Sequence, residues 1–455
     1  PHQIAALRKV LSTPVTRFLL ADEVGLGKTI EAGMVMKELK LRGAAKRILI
    51  VVPKGLATQW DSEMKNHFNE QFQIINGEDI SSLDRLFASD GGAWKVFDQV
   101  LVSLDSIKPM VRRRGWSKER IEEYNRTRLG NLLKATWDLI IIDEAHRIGG
   151  STEQVARHKL GKALAEVAPH ILLLSATPHQ GKSDAFFRLL NILDSHAFPE
   201  PNAVTKERVQ QYLVRTEKRN AINDKGLPLF QPRTTRLHPV SWGVEYDRHR
   251  ELYEAVSSYV RFGYNKALKN KKPHVGFLMV LLQRLVTSST LAIKTTLERR
   301  LDVLKKIQEE EQDAGFLYDA EELEELDGEQ QQEVLIESSG AMFNEIATVE
   351  SLLELATRCL HEREDAKVVD LRNLIAQLER QEHDPSLKIL VFTEFVPTQV
   401  MLKEYFEQRG FEVVVINGSM GRDERQVSQT KFEQTARMLI STDAGGEGLN
   451  LQIAH

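Results

Sequence analysis

At 455 residues and 42% hydrophobic, the chain can bury more than one core, and its length suits about three compact units. No stretch approaches the roughly 18 uninterrupted apolar residues that span a membrane, and the single cysteine, Cys359, excludes an intramolecular disulfide and any cysteine-cluster zinc site, so the default expectation is a cytoplasmic protein. The net charge of −4 speaks against nucleic acid only at first sight: residues 309–333 hold twelve acids and no base, which leaves 61 basic against 53 acidic groups elsewhere, compatible with a basic groove on a neutral body.

In chain order, Gln3 stands near a helix start, and a short apolar strand, Phe18 to Leu20, runs into Ala21 to Thr29, ADEVGLGKT. This is a phosphate-binding loop that departs from G-x-x-x-x-G-K-[ST], since Asp22 stands where the first glycine belongs, so Gly25 must supply backbone freedom. A helix is expected from Thr29, with Ile30, Met34, Val35 and Leu39 on one face and its positive end aimed at the same anion. Asp22, Gly25, Leu26, Gly27, Lys28 and Thr29 are therefore candidate nucleotide-binding residues. Lys28 would reach the β and γ phosphates, and the Thr29 hydroxyl would face magnesium.

Apolar runs at Ile48 to Val52, Val100 to Val102, Leu139 to Ile142 and Ile171 to Leu174 alternate with helical stretches over residues 1–198, the pattern of a parallel sheet covered on both faces. The third run ends directly in Asp143 and Glu144, where a parallel sheet keeps its ligand crevice. Asp143 is the expected magnesium partner and Glu144 the base that orients or deprotonates the attacking water. Ser175 to Pro178, SATP, repeats the strand-then-polar-loop arrangement, although such a sequence is also a good helix start.

FPEPN, Phe198 to Asn202, breaks the alternation, and residues 199–366 read as linker and charged helices, including YDRHRELYEAVSSYV and GFLMVLLQRLVTSSTLAIKTTLERRLDVL. The acidic segment 309–333 has the composition of a solvated insertion or mobile linker. Strands resume at Lys388 to Phe392, Val413 to Ile416 and Met438 to Ile440, so residues 367–455 form a second parallel-sheet lobe. Two clusters outside these blocks could meet phosphates: Arg112, Arg113, Arg114, Trp116, Lys118 and Arg120, and Lys266, Lys269, Lys271 and Lys272. Ordinary soluble surfaces carry such clusters too.

The series PHQ, ADEVGLGKTIEAG, VVPKGLATQW, DEAH, SATP, LVFTEF, INGSMGRDER and STDAGGEGLNLQ resembles the superfamily-two helicases and, within them, the Swi/Snf-type translocases on double-stranded DNA. The wording DEVGLGKTIEAG is similar to bacterial members, the RNA-polymerase-recycling translocase and helicase-like phage-defence proteins. That resemblance implies an α/β fold of two RecA-like parallel-sheet lobes with a helical insertion between them, and ATP and Mg2+ as cofactors. By the same resemblance Gln3 reads adenine, Lys28, Asp143 and Glu144 are catalytic, and Ser175, Thr177, Gly446 and Glu447 couple hydrolysis to movement. Lys54, Gln59, Ser103, Thr393 and Thr442 match positions that approach nucleic acid, though any single Ser or Thr here could instead cap a helix. Tyr212 to Lys218, YLVRTEK, resembles the segment by which this branch leaves its first lobe.

The chain stops at LQIAH, before the block that in relatives carries an arginine completing the site, and begins at Pro1, so both ends read as cut and the second lobe as incomplete. An arginine finger is worth about 10³ to 10⁵ in rate, so this chain alone is expected to bind nucleotide and hydrolyse it poorly. Three functions fit. The leading one is an ATP-driven translocase on duplex DNA that remodels or displaces bound protein; the others are a strand-separating helicase and a non-catalytic nucleic-acid scaffold.

Overall fold

The computed structural model describes residues 1–76, 80, 92–110, 116–150, 156–178, 183–230, 234–269, 273–310, 326, 328–337 and 345–442. Two compact units divide at Thr235/Arg236. Among the described residues no helix is long and apolar enough to cross a membrane.

The first unit is built on a parallel sheet of seven strands in the order β3-β4-β2-β5-β6-β1-β7. Its strands are β1 (Arg17–Leu20), β2 (Ile48–Val52), β3 (Gln73–Ile75), β4 (Gln99–Ser103), β5 (Leu139–Ile142), β6 (His170–Leu174) and β7 (Leu213–Val214). β2, β5 and β6 are buried at every residue, as the continuous apolar runs require of strands covered on both faces. Alternate residues then feed opposite layers: Leu49, Val51, Ile140 and Ile142 pack into one core, and Ile48, Ile50, Leu139 and Ile141 into the other. Helices α1 (His2–Val10), α2 (Lys28–Leu41) and α3 (Ala57–Phe68) build the second of these cores through Val10, Met36 and Trp60.

Three expectations change. β3 and β7 are too short to stand out as apolar runs, and β7 extends the first sheet beyond the boundary expected at residue 198. α2 starts one residue early, at Lys28, and its fully buried face is Ala32, Val35, Met36 and Leu39; Ile30 and Met34 are only half-buried. Within the stretch expected to be linker and helices, residues 221–230 and 234–246 are mostly irregular apart from the short turn Val244–Tyr246.

In the second unit, helices Asp247–Lys269, Pro273–Ser288, Thr290–Glu310, Gly328–Glu337 and Glu345–Glu362 enclose a core of Leu252, Val256, Leu285, Ile293, Leu297, Val349 and Cys359. The long apolar stretch after Gly276 is split because buried Ser289 caps a new helix, its Oγ accepting from Ala292 N at 3.0 Å. A fully buried ion pair crosses this core: Arg300 lies 2.6 Å from Glu345 Oε1, which also accepts from Tyr259 OH at 2.9 Å. Most of the acidic segment lies outside the described residues. Its end is not a linker, however: Gly328–Glu337 is a helix with Gln331 and Gln332 buried. After helix Ala366–Glu382, three strands, β8 (Ile389–Thr393), β9 (Val413–Ile416) and β10 (Met438–Thr442), form a parallel sheet in the order β8-β10-β9.

Candidate functional site

Strand order decides what the first unit can do. β1 and β5, far apart in sequence, flank β6, so the loop after Leu20, the acids after Ile142 and Ser175 after Leu174 all emerge at one sheet edge. Backbone bonds carry the order past the strands: Ser175 N donates to Leu20 O at 3.0 Å, Ala145 N to Leu174 O at 2.8 Å, and Ala21 N to Val214 O at 2.7 Å.

The loop itself is shaped by two glycines in the left-handed region, Gly25 at φ 84° and Gly27 at φ 88°. Gly27 is the N-cap of α2 and offers no side-chain cap, so the helix's first N–H groups stay available for an anion. A side chain at Gly27 would be blocked as well, since its Cβ would lie 2.6 Å from Gln3 Nε2. Gln3 Nε2 donates to Leu26 O at 3.3 Å, and His2 Nε2 to the same oxygen at 3.0 Å, so α1 closes one side of the loop. Lys28 Nζ donates to Asp22 O at 2.9 Å. Its charge acts on both Asp143 and Glu144, which places the loop and the two acids in one electrostatic site.

Asp143 is 8% exposed, and each of its oxygens is held: Trp60 Nε1 donates to Oδ2 at 2.8 Å and Glu144 N to Oδ1 at 2.8 Å. Burial, and then the charge of Glu144, push its carboxyl up to about 6. Such a carboxylate gains from a divalent cation beside it, which fits the magnesium expected at Asp143 and Thr29. Glu144 takes the opposite direction. Burial works to raise it, but the hydrogen bond and charge of His146, with Lys28 and Arg147, hold it below the usual carboxylate range. His146 Nδ1 lies 3.1 Å from Glu144 Oε2 and 3.3 Å from Ser175 Oγ, linking the candidate base to the first coupling residue. Glu144 also adopts φ 45°, an uncommon backbone for a residue with a side chain.

Sequence reasoning does not reach Trp60, His146 or His2, although all three stand inside blocks that it uses. Their signal is position within PHQ, VVPKGLATQW and DEAH; most of their partners are distant in sequence or across the sheet.

The expected nucleic-acid and coupling residues fare unevenly. The Lys54 side chain, Gly446 and Glu447 lie outside what is described. Thr177 is exposed, and Thr393 ends β8 half-buried. Gln59 Nε2 is turned onto Glu63 Oε1 at 2.7 Å. Ser103 is a helix cap: its Oγ accepts from Ser106 N at 3.2 Å. Thr442 is fully buried and its hydroxyl donates to Glu329 Oε1 at 2.7 Å, so neither Ser103 nor Thr442 presents a free hydroxyl. Of the basic clusters, Arg112, Arg113, Arg114, Lys271 and Lys272 lie outside the described residues, and Arg120 stacks over Trp116 at 4.4 Å.

A parallel sheet with a glycine-shaped loop at one strand end and a buried Asp-Glu pair at another defines the P-loop class of nucleoside triphosphatases. Residues 2–231 match the SNF2-related domain, and residues 366–455 the helicase conserved C-terminal domain. The chain belongs to the SNF2-related family of helicase-like ATPases, whose two RecA-like lobes correspond to the two sheets.

Among its relatives is the ATP-dependent helicase YqhH of Bacillus subtilis, 28% identical over 469 residues that cover 100% of this chain and 68% of that protein. Another is the RNA polymerase-associated protein RapA of Vibrio cholerae, 30% identical over 480 residues that cover 100% of this chain but 44% of RapA. This chain thus spans less than half of the RapA proteins it matches. Solved structures similar to it include the Sulfolobus solfataricus SWI2/SNF2 ATPase core in complex with dsDNA, with TM-score 0.39, 17% identity and 99% and 79% of the two chains covered. The Pyrococcus furiosus Hef helicase domain matches with TM-score 0.44, 15% identity and 99% and 87% coverage.

Proposed function

We propose that this protein hydrolyses ATP on its first lobe and uses the energy to move along duplex DNA, remodelling or displacing protein bound there. The observation that carries the reading is the convergence of Lys28 with the Asp143–Glu144 pair at one sheet edge, through strands that the chain visits far apart. Gly25, Leu26, Gly27, Lys28 and Thr29 would hold the phosphates, with Gln3 on the base and Asp22 bracing Lys28 from its carbonyl. Thr29 and Asp143 would hold magnesium, which when bound neutralises charge on the phosphoryl oxygens. Glu144, kept ionised by His146, would orient the attacking water or take its proton. Ser175, bonded to that same His146, is placed to sense the state of the base.

Duplex DNA as the track is supported by membership of the SNF2-related family, in keeping with the Swi/Snf-type order of the sequence blocks. RNA polymerase is the first candidate for the displaced partner, because RapA is named as associated with it. A division at about residues 198 and 366 into lobe, helical insertion and lobe remains our proposal, with β7 added to the first lobe.

The test is ATP hydrolysis by the full-length protein with no nucleic acid, single strands or duplex, beside a strand-separation assay. Stimulation by duplex without unwinding is the expected result. Unwinding of a tailed duplex would favour the helicase reading, in keeping with the name of YqhH. No hydrolysis under any condition would leave a binding scaffold.

A further inference from the structure

On the flank of the phosphate loop, the side chains of His2, Asp22 and Glu31 converge. Asp22 is 0% and Glu31 1% exposed, and half-buried His2 joins them, with one ligand atom from each within 4.8 Å of the others. Four of their polar atoms, His2 Nδ1, Asp22 Oδ2 and both Glu31 oxygens, are buried without a hydrogen-bond partner. Leaving such atoms unsatisfied is costly, and a bound cation would answer them together. One hydrogen bond shared between the Asp22 and Glu31 carboxyls would still leave the second Glu31 oxygen and His2 Nδ1 unanswered.

The remaining atoms of the cluster are held as metal ligands usually are. His2 Nε2 donates to Leu26 O at 3.0 Å, which fixes the proton on Nε2 and leaves Nδ1 as a lone pair pointing inward. Asp22 Oδ1 accepts from Thr216 N at 2.7 Å, which orients Oδ2. Two carboxylates balance a doubly charged ion, and an imidazole among them selects the zinc and first-row transition-metal class over calcium or magnesium.

We propose that His2, Asp22 and Glu31 form a binding site for a divalent transition metal of the zinc class, distinct from the magnesium of the nucleotide site. The ion would tie together α1, the loop after β1 and α2. Since His2 and Gln3 share Leu26 O, it would also set the base-side wall of the nucleotide loop.

The experiment uses the full-length protein, stripped with chelator and free of nucleotide and magnesium, titrated with cobalt(II) as a visible probe and then with zinc(II). One saturable equivalent with a d–d absorption band, displaced by zinc, is expected. His2→Gln and Glu31→Gln should each weaken binding about tenfold or more with unchanged circular dichroism. Asp143→Asn, which disables the magnesium position, should retain the equivalent. The idea is overturned if the wild-type protein shows no saturable band, or if both cluster variants keep it undiminished. The wild-type titration decides even where a variant fails to fold.

Discussion

Trp60 reaches across the first lobe to donate its indole N–H to Asp143 Oδ2 at 2.8 Å, so a residue of the third helix opposes the burial and the Glu144 charge that raise the acid expected to hold magnesium. Trp60→Phe keeps an aromatic ring in the core and removes the donor. The magnesium concentration that half-saturates ATP hydrolysis should rise about tenfold, the usual size of losing an outer hydrogen bond to a metal ligand. Magnesium dependence unchanged from wild type would show that the bond is structural only.

Glu144→Gln keeps the shape beside His146 and removes the charge. Binding of a fluorescent ATP analogue should persist, and phosphate release should fall by about 10² to 10⁴. Turnover at the wild-type rate would remove Glu144 from the role of base.

His170 gives the first lobe an acid-sensitive joint. Its Nδ1 accepts from Thr16 N at 3.0 Å, and burial, with Arg17 added and Asp138 opposing, holds the ring below its usual 6.5. The folded protein therefore binds fewer protons here than the unfolded chain, so this stabilisation is complete above 6.5 and is lost as pH falls through the folded value. Melting of the wild type should drop as pH falls below 6.5, and His170→Gln should melt lower at pH 7.5 but with a shallower acid slope. Equal slopes for the two proteins would contradict this account.

Glu345 anchors the helices of the second unit. With Arg300 3% and Glu345 2% exposed, Glu345→Ala strands a buried guanidinium and should cost about 3 to 5 kcal/mol in chemical unfolding. Replacing both partners by apolar residues of similar volume should recover most of that loss.

Much of the candidate nucleotide site was legible from residue order. Each catalytic candidate follows an apolar run: Phe18 to Leu20 before the loop, Leu139 to Ile142 before Asp143, Ile171 to Leu174 before Ser175. A parallel sheet must place such strand ends along one edge, which is why those residues meet. The second lobe's strands were legible for the same reason. The hydrogen bonds of Ser103 and Thr442 were not, because a hydroxyl that caps a helix or answers a carboxylate reads the same in sequence as one that awaits phosphate.

The sequence by itself determined the class of chemistry, since a glycine loop with lysine and an acid pair at strand ends carry their meaning in local spacing. Tertiary structure alone decided who serves those groups. Trp60 meets Asp143, His146 meets both Glu144 and Ser175, and Thr216 turns Asp22 toward Glu31 and His2. These bonds span strands whose neighbours follow from sheet order and not from chain order, and burial then fixes how each charge is held.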